Sequence, residues 1–206
     1  NSSSDSSTFN AGITATAPSG VTLAGTIQTS GDTISIGDAD TPITLAANTI
    51  IDGNTAGAIT LAGAIDGGYS LTLNTTGTTT LSAEIGGSTP LTTLTTNAGG
   101  TTVISADISS SSTQTYNDAV TLSADVTLTT TDSNLTFNGT VNSTDATNRA
   151  LTINLDGNGG GTTADAIFGN ATADTIGVTY DLGAIAITGD LDLNAAIGNG
   201  ATAGAT

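Results

Sequence analysis

Three aspartates near the end of the sequence stand at a constant spacing. Asp156, Asp165 and Asp174 are nine residues apart, and Ile167 and Ile176 follow the second and third of them by two positions. Hard divalent cations prefer several oxygen ligands, and Asp, Asn, Thr and backbone carbonyls can supply them. The spacing predicts either a cation site or a pair of ordinary turns whose corners are capped by aspartate.

The stretch 156–176 resembles a degenerate form of the calcium-binding nonapeptide of repeats-in-toxin proteins. Segments 160–167 and 169–176 both begin with glycine and carry aspartate and then isoleucine at the nonapeptide's positions, with threonine in place of its third glycine. The resemblance implies Ca²⁺ as a cofactor. The candidate ligands are then Asp156, Asp165, Asp174 and Asn170.

Catalytic chemistry finds little support in the residue types. The chain has no His and no Cys, so the usual acid–base and nucleophile pairs are absent. Asp190 and Asp192 fall on one face of a predicted strand, as a glycosidase pair would, but no basic or aromatic sugar-binding residues accompany them. The sequence therefore predicts a protein that is not an enzyme.

The charge balance excludes further classes of partner. Arg149 is the only basic residue against 18 acidic ones, which gives a formal net charge of −17. Binding to nucleic acid or to an anionic membrane surface needs Lys and Arg, so neither is expected. No apolar run approaches the length of a membrane-spanning helix, and insertion into a membrane is not predicted.

The absence of Cys and Met indicates where such a chain could persist. No disulfide is available, no oxidation-prone sulfur is present, and Arg149 is a single site for a trypsin-like protease. These features favour a secreted or cell-surface location.

A repeated motif predicts the fold. Seven stretches begin with an aliphatic residue or Thr, place a large apolar residue third, continue with small residues, and end on a β-branched residue or Leu. They are 21–27, 59–65, 79–85, 102–108, 120–126, 135–141 and 185–191. The large residue recurs at Leu61, Leu81, Ile104, Leu122 and Phe137, at gaps of 20, 23, 18 and 15. Repeats near 20 residues must stack on one another to bury a shared core.

We therefore predict an all-β protein, a β-solenoid of about ten three-sided coils. A β-sandwich with strands exchanged between subunits is the alternative, because the gaps are uneven. Residues 1–18 are a Ser-rich N-terminal arm that could be an exchanged strand, and 19–206 form one β-repeat domain. The predicted core consists of Leu23, Leu61, Leu81, Ile104, Leu122 and Phe137 with Ile27, Ile65, Ile85, Ile108, Val126 and Val141.

The segment 114–128, which reads QTYNDAVTLSADVTL, resembles the repeat of giant bacterial β-strand-repeat proteins, which are filamentous-haemagglutinin-like surface adhesins. Segments 71–74 and 135–141 resemble the same repeats, and the similarity covers about residues 57–156. The resemblance implies a secreted, surface-attached or matrix protein with a β-helical shaft.

Two functions remain open at this point. The first is a non-enzymatic structural subunit, or a shaft segment, of an extracellular filament, sheath or biofilm matrix that self-associates through its strand edges. The second is an adhesin segment that binds a ligand on a host or neighbouring cell. Segments with the pattern Thr-x-Thr also suggest ice binding, but their spacing along the sequence is too uneven for them to form one continuous row.

Overall fold

Alternation of inward apolar and outward polar residues produces the strands of this protein. In segment 126–129, for example, the side chains of Val126 and Leu128 are buried, whereas Thr127 and Thr129 are half-buried on the outside. β-Branched Thr suits the outer face of a pleated strand. The computed structural model describes residues 5–198, so residues 1–4 of the predicted arm and 199–206 of the predicted domain lie outside the described residues.

The strands form three parallel ladders that wind around one core, which confirms the predicted β-solenoid. Its turns are about 22 residues apart. The described residues contain no helix, and therefore none that could span a lipid bilayer. The parallel pairing also excludes the alternative, because the strands of a β-sandwich pair antiparallel. Each ladder is called a side below.

Side one is formed by nine strands of the ten-stranded sheet, whose tenth strand, β7 (Ile65–Asp66), lies off this path. The nine are β1 (Ser6–Phe9), β3 (Val21–Thr29), β5 (Ile43–Asn54), β8 (Leu71–Thr75), β10 (Leu94–Thr96), β13 (Gln114–Tyr116), β16 (Leu135–Phe137), β19 (Asp165–Phe168) and β22 (Asp190–Leu193).

Side two has nine strands. They are β2 (Ile13–Ala15), β4 (Ile34–Ile36), β6 (Ile59–Leu61), β9 (Thr78–Leu81), β11 (Thr101–Ile104), β14 (Ala119–Leu122), β17 (Val141–Ser143), β20 (Thr175–Ile176) and β23 (Ala196–Ile197).

Side three is formed by the four-stranded sheet β12 (Ile108–Ser109), β15 (Val126–Thr129), β18 (Arg149–Asn154) and β21 (Leu182–Thr188). The first halves of β3 and β5, together with β7, continue this side toward the N-terminus. Single bridges from Ile65 to Ile85 and from Ile85 to Ile108 join the two parts. The register shift inside β3 lies between Leu23 and Gly25, where the strand passes from side three to side one.

Columns of inward side chains fill the interior. On side two, Leu61, Leu81, Ile104 and Leu122 follow one another in register, as the repeated motif predicts. All twelve predicted core residues are buried except Ile27, which is half-buried against the core. Ile27 lies in the second coil, close to the N-terminal end, where fewer neighbours cover it.

The prediction that Phe137 continues the Leu122 column is wrong. Leu122 pairs with Ser143 on side two, whereas Phe137 lies on side one between Tyr116 and Phe168. The three rings are stacked, with centroid distances of 5.2 Å and 5.0 Å. The described residues form nine coils rather than about ten, which corresponds to a rod roughly 40 Å long at the ~4.8 Å spacing of neighbouring strands.

The coils differ in length because their corners differ. Thr102 is followed by its partner Val120 after 18 residues, but Val141 pairs with Ile176 after 35. Much of the excess is the glycine-rich loop 156–163 and the turn at 169–174. Asn142 holds the turn that follows Ile176, at 177–181, since its Oδ1 accepts the backbone N–H groups of Val178 and Thr179 at 3.0 Å.

A ladder of polar side chains runs along the edge of side one. Gln28 donates from Nε2 to Asp52 Oδ2 at 3.2 Å and accepts from the Thr8 hydroxyl. Further along, the Asn138 amide donates to Asn117 Oδ1 at 2.7 Å. Because equivalent positions lie one strand spacing apart, each amide can bond to the next coil and help fix the register.

Strands β1 and β2, within the predicted N-terminal arm, belong to the solenoid. β1 pairs with β3 and β2 pairs with β4, both within the same chain. Exchange of this arm between subunits stays a prediction.

Candidate functional site

Two groups of polar side chains are buried inside the rod, whereas a catalytic side chain must be accessible to its substrate. Asp118 is 1% exposed; its Oδ1 accepts the backbone N–H of Gly100 at 2.8 Å and its Oδ2 accepts the Thr102 hydroxyl at 3.0 Å. Burial raises the pKa of the Asp118 carboxyl, and these two hydrogen bonds oppose the rise. The arrangement ties the corner before β14 to the preceding coil and leaves the Asp118 carboxylate without access to solvent.

Tyr116 and Gln114 form the second buried polar group. The Tyr116 hydroxyl donates to Gln114 Oε1 at 2.8 Å, and Gln114 Nε2 donates to the carbonyl of Thr129 at 2.9 Å. The pKa of Tyr116 is raised because the ring is fully buried. Since Gln114 is on side one and Thr129 on side three, this pair explains why a Gln-Thr-Tyr segment suits the interior of a coil.

The candidate calcium ligands lie at different corners of the coil. Asp156 follows β18 on side three, Asp165 begins β19 on side one, and Asp174 precedes β20 on side two. Within the described residues no group of three or more acidic side chains is arranged to hold a metal ion. The nine-residue spacing therefore places successive aspartates around the rod.

Two of these aspartates close their own turns. Asp174 Oδ2 accepts the backbone N–H groups of Asn170 and Ala171 at 2.9 Å and 2.8 Å, so the structure brings Asn170 and Asp174 together. The Asp156 carboxylate accepts the N–H groups of Gly160 and Gly161 at 2.8 Å and 2.9 Å. These contacts match the alternative of aspartate-capped corners.

Asp165 has a different neighbour. It pairs in register with Asp190 of the next coil, which sets two carboxylates on adjacent strands. Like charges in that position repel, and a cation between them would relieve the repulsion. Calcium binding at Asp156, Asp165, Asp174 and Asn170 stays a prediction.

The C-terminal end of the rod was missed by sequence reasoning. The inward columns end there on exposed aliphatic residues: Leu191 is 53% exposed, Leu193 41% and Ile197 65%. They lie directly above Ala166, Phe168 and Ile176, which are buried. A cavity of about 200 Å³ opens between them, lined by Phe168, Ile176, Ile185, Ile187, Leu191, Leu193 and Ile197.

A signal for this end was present in the sequence. Leu191, Asp192 and Leu193 alternate as a strand does, and the motif 185–191 is the last of its kind.

A second concave feature lies on side one. A shallow groove of about 570 Å³ runs beside the turn at 169–174 and is lined by Thr136, Asn138, Ile167, Gly169, Asn170, Ala171, Thr172 and Asn194. Its lining is made of amides, hydroxyls and small side chains, together with the aliphatic side chain of Ile167.

Comparisons with known proteins add no family to this description. No protein-family model, no curated protein and no solved structure matches the chain. The fold and the geometry of its ends define the class: a β-solenoid repeat protein with three parallel ladders.

Proposed function

We propose that this chain is a non-catalytic structural element, a subunit or shaft segment of an extracellular filament, sheath or matrix that assembles through its β-strand edges. The carrying observation is the C-terminal end, where apolar columns stop at Leu191, Leu193 and Ile197 with no strand beyond them in the described residues. Exposed apolar patches mark surfaces that another molecule covers.

The edges of the ladders support assembly. Natural sheet edges are commonly protected from pairing by Lys or Pro. The sequence contains no Lys, and its three prolines, Pro18, Pro42 and Pro90, lie outside the outermost strands β1, β2, β22 and β23. An edge without these residues is suited to adding another parallel strand.

The absence of a catalytic role is supported by the positions of the perturbed groups. Asp118 and Tyr116, whose pKa values are raised by burial, face the interior and bond to structural partners. Asp190 and Asp192 are exposed on β22 and lie beside an apolar end rather than in a cleft.

The composition and the fold support the proposed cellular context. A filamentous-haemagglutinin-like surface protein with a β-helical shaft has the architecture found here, and a chain without Cys, Met or Lys suits a secreted or cell-surface location. Membership of that family is part of the proposal.

An adhesin segment is the second candidate, favoured by the groove beside Asn170. Its amide and hydroxyl lining, including Asn138 and Thr136, is suited to hydrogen bonding with a polar ligand such as a surface glycan. Immobilised protein should then retain glycans from an array, and Asn170→Ala should reduce the retention while Asn97→Ala, on the same side but outside the groove, should not.

Sedimentation velocity from dilute to concentrated solution tests the structural proposal. We expect the mean sedimentation coefficient to rise with concentration as rods associate. A single monomer boundary at every concentration and salt level would contradict assembly.

A further inference from the structure

We infer that the apolar C-terminal end is covered by the first coil of a second copy of this chain, stacked head to tail. This inference rests on the proposed function and names the partner and the contact. It requires that the two ends of one rod present matching strands, in matching directions, with compatible inward residues.

On sides one and two, the outermost strand at one end of the rod matches the outermost strand at the other end. β22 ends side one and β1 begins it, while β23 ends side two and β2 begins it. Every pairing along both sides is parallel, so a copy translated along the rod axis would place β1 next to β22 and β2 next to β23 with the chain direction preserved.

The register of the columns names the residues that would meet. Ile13 and Ile197 are the first and last members of one inward column of side two, which passes through Ile34, Ile59 and Ile176. Stacking would therefore place Ile13 of the second copy on Ile197. Ser7 and Leu193 are the corresponding ends of the side-one column that contains Phe168.

The outer polar ladder continues across the same contact. Thr8 pairs with Gln28 at the N-terminal end, and Asn194 follows Leu193 at the C-terminal end in the equivalent position. The Asn194 backbone N–H already donates to the Phe168 carbonyl at 2.8 Å, which shows that the ladder extends one residue beyond β22. Thr8 of a second copy would lie one strand spacing above Asn194.

The inward surfaces are compatible in character. The first coil offers Ile13 and Ala15, both partly buried against the core, and Phe9, which is 44% exposed. The last coil offers Leu191, Leu193 and Ile197.

Charge sets the conditions under which the contact forms. Each copy carries a net charge of −17, so the approach of two copies is opposed by repulsion at low ionic strength. In about 1 M salt the screening length falls to about 3 Å, and the repulsion between the ends becomes short-ranged. Association should therefore strengthen with added salt.

Cysteine cross-linking tests the register, and the chain is suited to it because it contains no cysteine. Neighbouring strands lie ~4.8 Å apart. That distance falls within the Cα separation that a disulfide spans. Under oxidising conditions the double variant Thr8→Cys/Asn194→Cys should give a ladder of covalent dimers, trimers and longer species. The control Thr8→Cys/Thr95→Cys has its second cysteine in the middle of side one and should stop at sparse dimers.

A charge substitution tests the apolar contact. Leu193→Asp should raise the dissociation constant by about 100-fold or more, since it removes an aliphatic side chain that the contact would cover and would bury a carboxylate there. Thr95→Asp adds the same charge on the outside of the rod and should leave assembly at the wild-type level. Circular dichroism of both variants checks that the fold is retained.

The outcomes separate the two claims. Assembly in which Thr8→Cys/Asn194→Cys cross-links no better than its control, or in which Leu193→Asp assembles like Thr95→Asp, would overturn the head-to-tail contact and leave the structural proposal standing. A protein that stays monomeric in concentrated solution and in high salt would overturn both.

Discussion

Two buried threonines in one column should respond in opposite directions to the same substitution. Thr79 and Thr102 pair in register on side two, and both are fully buried. The Thr79 hydroxyl has no hydrogen-bond partner among the described residues, whereas the Thr102 hydroxyl donates to the Asp118 carboxylate at 3.0 Å. Valine has the same shape as threonine without the hydroxyl, so Thr→Val isolates the hydroxyl in each case.

The expected magnitudes follow from the cost of leaving polar groups without partners. Removing an unsatisfied buried hydroxyl should raise the free energy of unfolding of Thr79→Val by about 1–2 kcal/mol. Thr102→Val removes a hydrogen bond to a charged group and should lower it by about 1.5–3 kcal/mol. The two variants should therefore differ by roughly 2.5–5 kcal/mol.

Urea unfolding followed by far-UV circular dichroism measures both variants against the wild type. The midpoints should move in opposite directions while the slope is unchanged, because neither substitution alters the surface exposed on unfolding. A loss of stability in Thr79→Val comparable to that in Thr102→Val would refute the account of this column, since it would mean that the Thr79 hydroxyl is bonded.

Three further predictions concern a carboxyl, a corner and a turn. Asp118→Asn should raise the free energy of unfolding relative to the wild type most strongly near neutral pH. The raised pKa of Asp118 means that, as pH falls, the folded wild type takes up a proton before the unfolded chain does, so this carboxyl favours folding only at acid pH. The unfolding free energies of the two proteins should therefore converge from neutral to acid pH. Gly63→Ala should lower the unfolding free energy by about 3 kcal/mol or prevent folding, because its Cβ would overlap the carbonyl oxygen of Thr41, whereas Gly68→Ala meets nothing within 4 Å and should change it by about 0.5 kcal/mol or less. Asp174→Ala should cost about 1 kcal/mol by removing the acceptor of its turn; the calcium hypothesis adds that EDTA lowers the melting temperature of the wild type more than that of this variant, and equal responses would count against it.

The class of fold could be predicted because its cause is local. Alternation such as Leu71-Thr72-Leu73 requires a strand with one buried face, and the gaps between Leu61, Leu81, Ile104 and Leu122 are those of successive coils. Each of these residues meets its repeat partner one coil away, so the sequence spacing and the spatial stacking coincide. That coincidence made the core residues predictable.

The register failed where corner length varies. Phe137 is followed by the next inward column after four residues, at Val141, but Phe168 is followed by it after eight, at Ile176. The same motif can therefore begin on different sides of the coil, which is why Phe137 stacks on Tyr116 instead of Leu122. Corner length depends on hydrogen bonds between coils, such as those of Asn142, which a repeat pattern does not contain.

The same variation in corner length lets unevenly spaced threonines line up on the outside of the rod. Thr72, Thr95, Thr115 and Thr136 are unevenly spaced along the chain, yet they pair in register and form one outward column on side one. The unequal intervals are taken up by the corners. A regular surface can thus arise from an irregular sequence.

Fibre diffraction from an oriented, concentrated sample tests the central claim most directly. If the chain is a structural element assembled along its own axis, a meridional reflection at about 4.8 Å should appear, because strand spacing repeats along the filament. Electron micrographs of the same sample should show filaments many times longer than the ~40 Å of nine stacked strands. Isolated particles no longer than one rod, with no oriented 4.8 Å reflection, would contradict the account.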